Sequence, residues 1–195
     1  MIKDDSRFGV IIPLSWDSNN WEGGEDINRR VPDNLIRDYL FKQEQITFGN
    51  NKYPLEDDGT FLGYSRMITK LLKWDDTFYW HSNDFKIVFF ISVFKIRYII
   101  GFYYQPEIDW SFGRKKKSDV YQMYTFTNIR SKKEDIVRFG NYIPLRANGQ
   151  FRVLQNVLKK REYAYITRED VISIFEKAIQ INPNQNELKG ILRKI

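Results

Sequence analysis

The chain has no cysteine and a single histidine, His81, in 195 residues. The first absence excludes structural disulfides, thiolate zinc sites and a cysteine nucleophile. The second excludes a two-histidine metal site or a histidine-pair nuclease built within one chain. Ser82 follows His81, but neighbours in a strand point to opposite faces and no oxyanion motif accompanies them, so a serine triad has no support. Neither GxxxxGK[ST] nor GxGxxG occurs, and the glycine pair in EGGED, Gly23 and Gly24, lies between carboxylates that repel phosphate. Nucleotide hydrolysis and Rossmann chemistry are therefore disfavoured. The opening MIKDDSRFGV lacks a long apolar segment leading to a small-residue cleavage site, so a cytoplasmic protein is the expectation.

An uninterrupted membrane-length run is also missing. A spanning helix needs about 20 largely apolar residues, and the most apolar stretch, KIVFFISVFKIRYIIGFYY, is broken near its centre by Lys95 and Arg97. Its Val, Ile, Phe and Tyr content fits a pleated sheet. The spacing predicts strands over residues 85–94 and 97–104 joined by a tight turn near Lys95 and Ile96. Each run is almost continuously apolar, so both faces of the hairpin should be covered.

What the chain does have is 42% hydrophobic and 16% aromatic residues, an ordinary globular composition rich in rings. Its net charge is +6 and its pI about 9.3, which fits a polyanionic partner. Around the hairpin, FGVIIPL at 8–14 reads as a first strand, 16–30 as a polar loop, and a helix follows Pro32 with Leu35, Ile36, Tyr39 and Leu40 on one face. The segment 48–60 is turn-rich, and a helix over 64–74 carries Met67, Ile68, Leu71 and Leu72 as its stripe. TFYWH at 77–81 is predicted as a strand, and DVYQMYTFT at 119–127 as a half-buried one. Ser131 and Glu134 form a capping-box pattern that predicts a helix over 132–139 ended by Gly140. Further helices are expected over 151–160, 168–181 (capped by Thr167 and Asp170) and 186–195, with a last strand at 162–166.

The expected architecture is one α+β domain spanning 1–195. It comprises an N-terminal part at 1–76, a β-rich core at 77–166 in a strongly curved or barrel-like mixed sheet, and C-terminal helices at 167–195. Across 77–166 the order of a long apolar strand, RYIIGFYY, an aromatic and basic loop, the YTFT strand, a capped helix and a short strand resembles the PUA-like domains, which include the EVE, YTH and ASCH modules. That resemblance implies a non-catalytic reader of a modified or unpaired base, in some members attached to a restriction or defence system. It transfers no site residue, because no motif aligns position by position.

Candidate positions come from residue chemistry. Bases stack on aromatic faces while cations meet the flanking phosphates. Trp74, Trp80, Tyr103 and Trp110 are the candidates for stacking; Arg114, Lys115, Lys116, Arg130 and Lys133 are the candidates for phosphate contact, the last two at the start of the helix expected over 132–139. Nucleic acid is the expected partner, DNA ahead of RNA, with no membrane and no cofactor. Two other readings stand beside it. A magnesium nuclease could draw on Asp84, Glu107 and Asp109, but its one Glu-x-Lys, Glu187 to Lys189, falls on a terminal helix where a core strand is required. A protein-binding accessory or anti-defence factor would use the same aromatics as a hot-spot patch.

Overall fold

The structure, a computed structural model, describes residues 7–15, 21–22, 44, 47–112, 127–146 and 148–195, with the backbone alone of Phe94. It is a mixed α+β protein that divides into two compact units. Unit 1 comprises Met1–Pro13, Asp84–Pro106 and Glu134–Ile195, and unit 2 comprises Leu14–Asn83 and Glu107–Lys133.

Unit 1 is built on the apolar hairpin. Strands β3 (Ile87–Phe94) and β4 (Ile96–Tyr104) pair antiparallel through a turn at Lys95, whose φ of 63° places it in the left-handed region. The two are flanked by β7 (Ile136–Leu145) beside β4 and by β1 (Gly9–Pro13) and then β8 (Ala164–Ile166) beside β3, in the order β7-β4-β3-β1-β8. β1 runs parallel to β3, while the other pairings are antiparallel. Gly9 makes the parallel pairing possible: a Cβ there would stand 2.7 Å from the carbonyl oxygen of its partner Ile87. Consecutive β3 residues from Ile87 to Ile91 are all buried, so both faces are covered over that stretch, whereas the turn end, with Val93 and Lys95 exposed, is open.

Among the described residues, unit 1 also holds the α-helices α3 (Arg152–Lys160), α4 (Arg168–Ile181) and α5 (Asn186–Leu192). A full capping box between Thr167 and Asp170 starts α4, and its apolar stripe Val171, Ile174, Phe175 and Ala178 joins the core. Phe175 meets Phe102 at 4.9 Å and Phe89 at 5.8 Å between ring centroids, both edge-on.

Unit 2 holds a small sheet in the order β2-β6-β5, from β2 (Thr60–Gly63), β6 (Ile129–Lys132) and β5 (Glu107–Ile108). It also holds two consecutive helices, α1 (Arg66–Trp74) and α2 (Asp76–His81). The buried face of α1 is Met67, Ile68, Leu71 and Leu72, the stripe read from the sequence.

Two expectations are corrected. TFYWH is the helix α2, because Asp75 accepts the N–H of Phe78 at 3.0 Å and caps a helical turn that overrides the strand preference of the aromatics. The Ser131 pattern starts no α-helix: Lys133–Asp135 forms a single 3-10 turn, and the chain then enters β7, where pairing with β4 decides the conformation. No closed barrel forms among the described residues, whose strands divide between two sheets. The second correction removes the capped helix from the PUA-like element order. The helix expected after Pro32 and the strand at 119–127 lie outside the described residues, except Thr127, which is not in a strand.

Candidate nucleic-acid interface in unit 2

The N-terminus of α1 is fixed by buried hydrogen bonds. The carboxylate of Glu44, only 3% exposed, accepts the backbone N–H of Ser15 and of Arg66, each at 2.8 Å. Burial pushes the Glu44 carboxyl above its ordinary pKa, and the two N–H donors and the Arg66 charge offset only part of that shift. Asn128 matches Ser65 as a backbone strand would. Its Oδ1 accepts the Ser65 N–H at 2.9 Å, and its Nδ2 donates to the Ser65 carbonyl at 2.6 Å and to the Thr69 hydroxyl at 2.9 Å. The Thr47 hydroxyl lies 2.8 Å from the carbonyls of both Tyr64 and Glu44 and shares its one proton between them, and the Ser65 hydroxyl accepts the Met67 N–H at 3.2 Å. The helix therefore starts from a position that several independent donors and acceptors specify.

So anchored, α1 presents two unlike faces. The buried side is apolar, whereas Arg66, Lys70 and Lys73 are all exposed, and the helix carries no acidic residue. At 100° per residue these i, i+4 and i+7 positions fall within an arc of about 60°. Trp74 ends the helix with 74% of its surface exposed, and the Lys73 ammonium lies 5.0 Å from its ring centroid. Asp75 then caps α2, which exposes Trp80 to 75% and sets its ring edge-on to Tyr79 at 5.3 Å. Tryptophans are rarely left so open on a surface with no use for them.

The other predicted positions have different surroundings. Trp110 follows β5 in unit 2 and is 47% exposed, its backbone N–H bonded to the Asp109 carboxylate at 2.6 Å. Tyr103 has no exposed surface: it lies in β4 of unit 1, edge-on to Phe90 at 5.5 Å, and serves the scaffold. Arg114, Lys115 and Lys116 lie outside the described residues. The chain leaves for that segment at Phe112 and returns at Thr127, where the Phe112 N–H donates to the Thr127 carbonyl at 2.8 Å and the Thr127 hydroxyl donates back to the Phe112 carbonyl.

Arg130 is engaged by carboxylates. It sits opposite Glu107 across the β5–β6 pair, donates to it at 2.6 Å, lies 3.9 Å from Asp58 and covers the Phe112 ring at 5.0 Å. Arg130, Asp58 and Phe112 border a cleft of about 330 Å³ lined also by Glu56, Asp57, Leu62 and Ser111. The Thr60 hydroxyl and N–H, which donate to Asp58 at 2.6 and 2.9 Å, hold its carboxyl below the usual carboxylate range. A cleft with three carboxylates around one neutralised guanidinium is a poor seat for phosphate. Lys132, whose ammonium meets the Asp58 carbonyl, reinforces the same structural cluster. Lys133 keeps an exposed side chain on the 3-10 turn.

His81 closes α2, and the adjacent Ser82 is buried with its hydroxyl donating to the Tyr79 carbonyl at 3.1 Å. Among the described residues no group of three or more His, Asp or Glu is placed to hold a metal ion, and no helix is long and apolar enough to cross a membrane.

The sequence reading missed the basic face of α1. Its signal was present in the spacing of Arg66, Lys70 and Lys73, but the contiguous run RKKK drew the phosphate assignment downstream. In comparisons with known proteins, the chain matches no protein family, no curated protein and no solved structure.

Proposed function

We propose that unit 2 is a non-catalytic nucleic-acid-binding module that stacks unpaired or modified bases on exposed tryptophans. The observation that carries this reading is the pair of three-quarters-exposed tryptophans, Trp74 at the end of α1, where Arg66, Lys70 and Lys73 are exposed too, and Trp80 on the following helix α2. Base–aromatic stacking contributes about 1–3 kcal/mol per base, and a net charge of +6 supports the phosphate side of the interaction. The reading rests on this residue chemistry. A curved PUA-like sheet, DNA ahead of RNA, a restriction or defence setting and a cytoplasmic location are its finer parts, supported by composition and by the surviving apolar hairpin.

The test is binding of fluorescent single-stranded DNA and RNA, with and without modified bases, to the full chain and to Trp74→Ala and Trp80→Ala. Each variant should lose about 5- to 100-fold in affinity, the equivalent of one stacked base. No detectable binding by the wild type at low salt ends this reading.

The same open aromatics, with Tyr79 beside Trp80, favour a second reading as a protein-binding patch. Affinity for such a partner would change little with salt, whereas a nucleic-acid complex weakens log-linearly.

A further inference from the structure

We infer that the exposed face of α1 is a track for one unpaired nucleic-acid strand, with Arg66, Lys70 and Lys73 on its phosphates and Trp74 holding a base at the helix end. This rests on the function proposed above and specifies the substrate class and the residues that meet it.

Charge complementarity selects a polyanion. Three cations stand on one side of a nine-residue helix that carries no acid, over a rise of about 10 Å at 1.5 Å per residue. Lys73 in the last turn suits the helix dipole, but Arg66 in the first turn opposes it. Glu44 offsets part of that conflict, its buried carboxylate accepting the Arg66 N–H.

The tryptophans select a single strand. In a duplex the base faces are stacked on one another, and a protein meets only base edges and the backbone. An unpaired strand offers phosphates and base faces to the same surface, which matches a row of cations ending in an open indole. The rigidity of the start of α1, set by Glu44, Ser65 and Asn128, means that little ordering is needed on binding.

The test uses the full chain, short single-stranded and duplex oligonucleotides of equal length, and a salt series. The variant Arg66→Gln/Lys70→Gln/Lys73→Gln changes only exposed positions, and Lys70→Gln alone guards against a folding defect in the triple change. As a charge-matched control, Lys159→Gln/Lys160→Gln/Arg161→Gln alters three exposed cations of unit 1.

The wild type should prefer single strands. The α1 triple variant should bind them at least about tenfold more weakly, with the slope of log affinity against log salt reduced by about 2, as expected for three lost contacts at about 0.7 each. Lys70→Gln should reduce the slope by about 0.7, and the control should leave it unchanged. A wild type that binds while the α1 variants keep its slope overturns the track and leaves the proposed function standing. Equal or tighter binding of duplex overturns it as well. A wild type that binds no oligonucleotide defeats both, and binding to phosphatidylserine vesicles in its place would assign the basic face to a membrane surface.

Discussion

The two units solve the problem of a stable interior by different means. Unit 1 relies on apolar packing: Phe89, Phe102, Phe139 and Phe175 meet at the centre of a cluster that includes Ile11, Ile87, Leu158, Val171 and Leu188. Unit 2 has apolar residues too, but its most specific links are hydrophilic side chains bonded to backbone, notably Glu44, Thr47, Ser65 and Asn128. An apolar core tolerates exchange of one hydrophobic residue for another of similar volume. A buried polar network does not, since removing one partner strands the other without water. The unit with the exacting interior is also the one that carries the open tryptophans.

Three changes would break or sharpen that contrast. The largest effect is expected for Phe175→Ala, which should destabilise unit 1 by about 3–5 kcal/mol through the lost burial and the cavity it leaves. Chemical denaturation followed by amide exchange should show loss of protection in β3, β4 and α4. A loss under about 1 kcal/mol would mean that the cluster is loosely packed.

Asn128→Ala should follow, at about 2–4 kcal/mol, because the buried N–H and carbonyl of Ser65 each lose a partner. Amide exchange in α1 and β2 reports it. Asn128→Asp should rescue little of the loss, since a carboxylate cannot donate to the Ser65 carbonyl.

The smallest and most diagnostic effect concerns Glu44→Gln. The Glu44 pKa is raised on folding, so the protonated form is favoured in the native state. Its contribution is therefore fully present below the unfolded-state value of 4.5 and is lost as pH rises through the native value. The stability advantage of wild type over Glu44→Gln should shrink as pH rises above 4.5, as measured by urea unfolding at each pH. An advantage that grows with pH would show that the Ser15 and Arg66 N–H donors outweigh burial.

How far the sequence spoke for the fold can be judged element by element. The β3–β4 hairpin was legible because Lys95 interrupts residues that favour strands and tolerates the left-handed turn it occupies. The start of α4 was legible because Thr167 and Asp170 cap it locally, with no help from distant residues. TFYWH was misread because ring content was weighed above Asp75, the one residue that specified a helix. IVRFG was misread because the Ser131 pattern looked sufficient until β4 offered a strand partner. For the candidate site, Trp74, Trp80 and Trp110 were visible as chemistry, yet whether a ring faces water is set by packing no local pattern encodes. Tyr103 is the counterexample, fully buried within a few residues of the same run of aromatics. Arg130 shows the matching problem for charge, since its partners Glu107 and Asp58 are distant in sequence.

The pairing of Phe112 with Thr127 has an engineering consequence. The backbone bond between them already brings the ends of segment 113–126 together, next to the β5–β6 pair. A glycine-containing connector between Phe112 and Thr127 would have a short gap to close, because the two backbones are bonded at 2.8 Å. Such a variant lacks the RKKK run at 114–117. Its oligonucleotide affinity, set beside that of the α1 variants, weighs the run against the α1 face.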